Sequence, residues 1–126
     1  MNEPSFISNP PSDDAIKLAN AVYQTYIVEE YSHLKLSVER LCAIYAFEHT
    51  PETILYFKTL FAELNEPVAL KDFTYEDHYY KWIVLNFCTF EKEWKNEDKF
   101  VYIALNEIYL SAMQKLMEEP FILFKD

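Results

Sequence analysis

A compact bundle of about five helices, all-α, is what this chain leads one to expect. Three observations point there. Helix-capping signals recur along its 126 residues, the apolar residues fall at helical spacing, and strand signals are weak, with no Asn-Gly or Asp-Gly hairpin turn. Apolar types make up 51% of the chain, which is too much for a disordered one. The expected organisation is an extended tail over residues 1–11, holding Pro4, Pro10 and Pro11, followed by a single helical domain over residues 12–126.

The elements follow in order. Ser12 is an N-cap candidate, with Asp13 and Asp14 in the first turn, where carboxylates suit the helix dipole. Ile16, Ala19, Tyr23 and Ile27 then recur at helical spacing, to an end near Glu30–Ser32. Ser37 caps a second helix carrying Val38, Leu41, Cys42 and Tyr45. The gap between the two holds neither proline nor glycine, so one long helix from Asp13 to Phe47 stays open as an alternative. Thr50-Pro51-Glu52 is the clearest start signal: threonine caps, proline fits the first helical position, and glutamate complements the dipole. That third helix carries Ile54, Phe57, Leu60, Phe61 and Leu64 and stops at Asn65, ahead of Pro67. Thr74 with Asp77 opens a fourth helix, through about Trp94. Asn96 with Glu97 and Asp98 opens a fifth, ending near Glu119-Pro120. Phe121–Phe124 then pack back on the body.

Charge and composition exclude several functions. Basic residues number 11 and acidic residues 21, a formal charge of −10, which argues against direct nucleic-acid binding because that needs a basic footprint on phosphate. The absence of glycine excludes a phosphate loop, a dinucleotide fingerprint, a nucleophile elbow and an EF-hand loop. No signal peptide or membrane-spanning run is visible, and Cys42 and Cys88 read as buried free thiols. A soluble, cytoplasmic protein with no cofactor is expected.

Two segments are unusually apolar. From Tyr79 to Phe90, 9 of 12 residues are apolar, and from Phe100 to Met113, 11 of 14. A surface helix needs one apolar stripe, so this surplus suggests a second face for a partner or for self-association. Tyrosine, with a wet end and an apolar body, suits such a face. The expected partner-binding residues are therefore Tyr79, Tyr80, Tyr102 and Tyr109 as anchors, with Glu91, Glu93, Glu97 and Asp98 as an acidic rim. The acid excess runs through both halves of the chain, so it would steer a basic partner. The leading expectation is a small protein-interaction module acting by binding and occlusion. Its most concrete form is an immunity or inhibitor type protein against a basic toxin or nucleic-acid-handling partner. A homodimeric structural domain is the alternative.

Chemical sites are sparse. Glu30-Tyr31-Ser32-His33 is a Glu-x-x-His, half of the set used by di-iron bundles, but no second copy accompanies it. The bland reading is a surface ion pair or a helix-end histidine. No catalytic set assembles, so no enzyme is expected; a metal-binding helical-bundle enzyme using Glu30 and His33 is the last alternative.

Parts of the chain resemble the regulator of G-protein signalling domain. Tyr23-x-x-Tyr26-Ile27-x-x-Glu30-Tyr31-Ser32 resembles an early helix of that family, Val68-x-Leu70-x-x-Phe73-Thr74 its central loop, and Ala104 and Ile108-Tyr109 with Pro120-Phe121 its end. Leu18–Ile27 and Thr50–Phe57 offer two further registers. The resemblance implies an all-α domain. Ala69 and Tyr102 stand where that family's asparagine and aspartate are expected, which implies binding without acceleration of the G-protein.

Overall fold

Capping chemistry sets the ends of the first three helices. Ser12 Oγ accepts from Ala15 N–H at 3.3 Å and opens α1 (Asp13–Glu29). Ser37 Oγ accepts from Arg40 N–H at 3.1 Å and opens α2 (Val38–Tyr45). Thr50 Oγ1 accepts from Thr53 N–H at 3.1 Å and opens α3 (Pro51–Leu64), with proline in the first turn. The structure, a computed structural model, describes residues 5, 6 and 12–116. Of the anticipated tail, Ser5 and Phe6 form a short strand, β1, and the rest lies outside the described residues, as do Pro120 and Phe121–Phe124.

One long helix from Asp13 to Phe47 does not form. Glu30 takes the left-handed conformation at φ 56° and closes α1, and His33–Ser37 run extended as β2.

Beyond Leu64 the all-α expectation is overturned. Where a fourth helix is expected from Thr74 to about Trp94, the chain instead completes a hairpin of β3 (Val68–Tyr75) and β4 (His78–Leu85) and goes on to β5 (Cys88–Phe90). The anticipated fifth helix is β6 (Phe100–Leu105) followed by α4 (Glu107–Leu116). Asn106, not Asn96, supplies the cap of α4, its Oδ1 accepting from Ile108 N–H at 3.0 Å. The strands form two antiparallel sheets, ordered β1-β3-β4 and β2-β6-β5. The result is a mixed α/β fold, not a helical bundle. It also removes the resemblance to the all-α signalling domain, since Val68–Thr74, read there as a loop, lies in β3.

One backbone feature explains the misreading of β3 and β4. Val68 and Leu70 face the core opposite Leu85 and Ile83. Strict alternation would next bury Asp72, but Phe73, opposite Tyr80, is buried instead. The switch falls at Asp72, whose φ of 57° is left-handed. The pairing register is the same on both sides, Lys71 with Trp82 and Phe73 with Tyr80, so no residue is inserted. Side chains at 80 and 83 therefore share a face, a spacing of three that imitates a helix. Glu76, at φ 56°, heads the two-residue hairpin turn in place of glycine.

The core joins both sheets to the helices. Leu34 and Leu36 of β2, Val101, Ile103 and Leu105 of β6, and Leu70 and Phe73 of β3 are buried with Leu18, Ala19 and Val22 of α1 and Ile54, Phe57, Phe61 and Leu64 of α3. Aromatic rings account for much of the packing. Trp94 stacks on Phe57 at 6.4 Å and meets Phe61 edge-on at 5.9 Å, while Phe87 meets Tyr109 edge-on at 5.4 Å. Such pairs add roughly 0.5–1.5 kcal/mol each beyond the area they bury.

Candidate interaction surfaces

Period-two geometry gives β6 two faces. Val101, Ile103 and Leu105 are buried, and Phe100, Tyr102 and Ala104 face outward. The neighbours add Lys35 opposite Tyr102, Ser37 opposite Phe100 and His33 opposite Ala104. On the other side of β6, Glu91 N–H donates to the Tyr102 carbonyl at 2.9 Å, extending the β5 pairing by one residue.

Cations and rings alternate over this face. The Lys35 ammonium lies 4.2 Å from the Phe100 ring centroid and the Lys92 ammonium 4.3 Å from that of Tyr102. Both separations are within the range of cation–π attraction. His33 Nδ1 lies 2.6 Å from Glu91 Oε2, a pair that joins the strands on either side of β6. Tyr31 adds a ring 5.0 Å from that of His33. A depression of about 240 Å³ beside them is lined by Lys92, Glu93, Asp98, Lys99, Phe100 and Tyr102. A second, of about 220 Å³, shares Lys92 and Glu93 and is floored by Phe90 and Trp94.

The anticipated partner-binding residues separate into four places. Tyr102, Glu91, Glu93 and Asp98 meet on this face. Glu97 is exposed beside His49, Thr50, Pro51 and Asn96. Tyr79 and Tyr80 belong to β4, in the other sheet. Tyr79 is exposed and donates to the Asp72 carboxylate, and Tyr80 is half-buried against the core. Tyr109 is fully enclosed, so it offers nothing to a partner in this conformation. Sequence reasoning missed Tyr31, His33, Lys35, Lys92 and Phe100 on the face of β6. It also missed Trp82 and Val84, which β4 exposes. In Phe100–Leu105 every residue is apolar, so no alternation of polarity betrayed the outward set.

Part of the acid excess is used inside the molecule. The Tyr26 hydroxyl donates to Glu107, that of Tyr56 to Asp14 and that of Tyr79 to Asp72, and Ser12 Oγ donates to Glu63 Oε1 at 2.9 Å. The hydrogen bond to Glu107, with a smaller contribution from burial, pushes the Tyr26 phenol up to about 12.

Neither thiol is placed for chemistry. Cys42 and Cys88 are free and buried. Burial raises both thiols, Cys88 to about 11, against a smaller opposing effect of the Asn65 amide. A nucleophilic cysteine needs a depressed value and an electropositive setting. Glu30 caps α1 and His33 lies in β2, so the Glu-x-x-His does not sit on one helix face. Among the described residues no group of three or more His, Cys, Asp or Glu side chains is arranged to hold a metal ion. No helix among them is long and apolar enough to cross a membrane. Comparison with known protein families, curated proteins and solved structures finds no match.

Proposed function

We propose that this chain is an acidic protein-interaction module that acts by binding and occlusion, and that the outer face of β2-β6-β5 takes a basic protein partner. One observation carries the reading: the exposed Phe100 ring and the half-buried Tyr102 ring each already hold an ammonium of the chain's own, with Glu93, Asp98 and Lys99 beside them and Glu91 at the end of the neighbouring strand. A partner's lysine or arginine would meet the same rings, with the carboxylates to receive its charge. The overall charge of −10 would speed the encounter. An immunity or inhibitor type protein against a basic toxin or nucleic-acid-handling partner is the most concrete form. A reducing, cytoplasmic compartment suits two buried free thiols.

The test is capture of basic proteins from source lysate by the wild-type chain, by Tyr102→Ala and by the pair Glu93→Lys with Asp98→Lys. A partner retained at low salt, released at high salt and lost by both variants supports the reading. Retention indifferent to salt and to both variants refutes it, and so does the absence of any retained protein. The exposed edge of β4 favours a second reading, self-association, developed next.

A further inference from the structure

Strand β4 closes one edge of the β1-β3-β4 sheet, and among the described residues nothing pairs with its outer side. An open edge is a template for another strand, and proteins ordinarily blunt it with proline, charge, a bulge or shortness. β4 uses little of this. It is 8 residues long, contains neither proline nor carboxylate, and carries one lysine, Lys81. Its exposed residues are mostly apolar: Trp82 is 63% exposed, Tyr79 47% and Val84 39%.

Two features say what covers it. The first is symmetry. Antiparallel pairing places directly opposed side chains on the same face. A strictly alternating strand therefore meets its own copy only in registers where opposed residue numbers sum to an even value. The exposure of β4 departs from alternation at its midpoint, opposite Asp72, where the pairing passes from Lys71–Trp82 to Phe73–Tyr80. Outward from the Lys81–Trp82 bond, both neighbours are exposed, then Tyr80 and Ile83 are half-buried, then Tyr79 and Val84 are exposed. The pattern reads almost the same in both directions. It matches a two-fold pairing in which residue 81 of one copy faces residue 82 of the other.

The second feature is charge. Two chains of −10 repel, so self-association needs a face free of carboxylates. Residues 78–85 contribute no carboxylate, and that of Asp72 beside them already accepts from the Tyr79 hydroxyl. Trp82 already stands opposite Lys71 of β3 in its own sheet.

We propose that β4 pairs antiparallel with β4 of a second copy of this chain, setting Lys81 opposite the second copy's Trp82 and Tyr79 opposite its Val84. The product is a continuous sheet ordered β1-β3-β4-β4-β3-β1. Each tryptophan lies between two lysines, one from each copy, and each tyrosine makes an aromatic to β-branched cross-strand pair. This interface uses the sheet that the basic-partner face does not, so its failure leaves that reading untouched.

Sedimentation equilibrium on the full chain tests it. A mass rising with concentration toward twice 15.1 kDa is expected. A monomer throughout the micromolar range overturns the proposal and leaves the edge to a different protein. Trp82→Lys sets like charges opposite each other twice and weakens the dimer roughly tenfold or more. Adding Lys81→Glu then sets opposite charges across both pairs and restores it. Trp82 is exposed, so folding is checked separately by circular dichroism. A dimer indifferent to Trp82→Lys, or one not restored by the second change, refutes the register. As a check independent of charge, Tyr79→Cys and Val84→Cys chains are mixed under mild oxidation. Cross-linking of the mixture, and of neither chain alone, is expected. Tyr79→Cys linking as readily to itself defeats the register.

Discussion

The side-chain amide of Asn86 donates to the backbone carbonyl of Asn65 at 2.6 Å, tying the link between β4 and β5 to the end of α3. The same motif repeats one step on, where the Asn106 amide donates to the Asn86 carbonyl at 2.9 Å. Asn65 Oδ1 in turn accepts from Cys88 N–H at 2.8 Å. Three asparagines thus join the end of α3, the crossing between the two sheets and the start of α4.

Asn106 does two jobs in that chain, capping α4 and holding Asn86. Asn106→Ala is expected to lower stability by about 1–2 kcal/mol, and Asn86→Ala by about 1 kcal/mol. Urea unfolding checks both, as a lower midpoint at unchanged slope.

The Tyr109 hydroxyl is buried, and among the described residues none hydrogen-bonds it. An unmet buried hydroxyl destabilises the folded state by about 1–3 kcal/mol. Tyr109→Phe keeps the ring against Phe87 and is expected to be as stable as the wild type or more so. Tyr109→Ala leaves a cavity and costs about 3–5 kcal/mol. Thermal unfolding checks both: the Tm of Tyr109→Phe is expected to hold or rise, and that of Tyr109→Ala to fall.

Ala46 closes α2 at φ 58°, a left-handed conformation that its Cβ disfavours. Glycine removes that penalty and raises the entropy of the unfolded chain by a smaller amount. Ala46→Gly is expected to stabilise the protein by about 0.5–1 kcal/mol, a rise of a few degrees in Tm. Glycine at Ala43, inside the same helix, is expected to destabilise it by about 1 kcal/mol.

Alkaline pH is expected to loosen the fold. The Cys88 thiol rises from an ordinary 9.0 to about 11, chiefly by burial, and the Tyr26 phenol from 10.0 to about 12, chiefly through its bond to Glu107. Both folded values exceed the unfolded ones, so folding favours the protonated forms. That stability is complete below about pH 9 and is lost as the pH climbs toward 12. Tyr26→Phe flattens the fall between pH 10 and 12 in urea midpoints measured against pH. Neither native thiol reacts with a disulfide reagent at pH 8, and both react once urea unfolds the chain.

Local chemistry was legible where one side chain decides one boundary. Ser12, Ser37 and Thr50 accept from the backbone as read, and Asn65 ends α3 ahead of Pro67, because a cap lies within three residues of what it caps. The strands were not legible. Phe100–Leu105 is apolar on both faces, and the switch at Asp72 gives β4 a helix-like spacing. Only pairing partners distant in sequence, such as Leu34 with Ile103, make these segments extended. Of the surface residues, Tyr102, Glu91, Glu93 and Asp98 were named from composition and charge. Trp82, Lys35 and Phe100 needed the sheets, because exposure on a strand depends on which face the rest of the molecule covers. The sequence alone determined the caps of the first three helices, the acidic charge and the apolar surplus of the C-terminal half. Tertiary pairing decided that this surplus lies in two sheets, one of them with an open edge, because strand pairing is a non-local interaction that no single segment encodes.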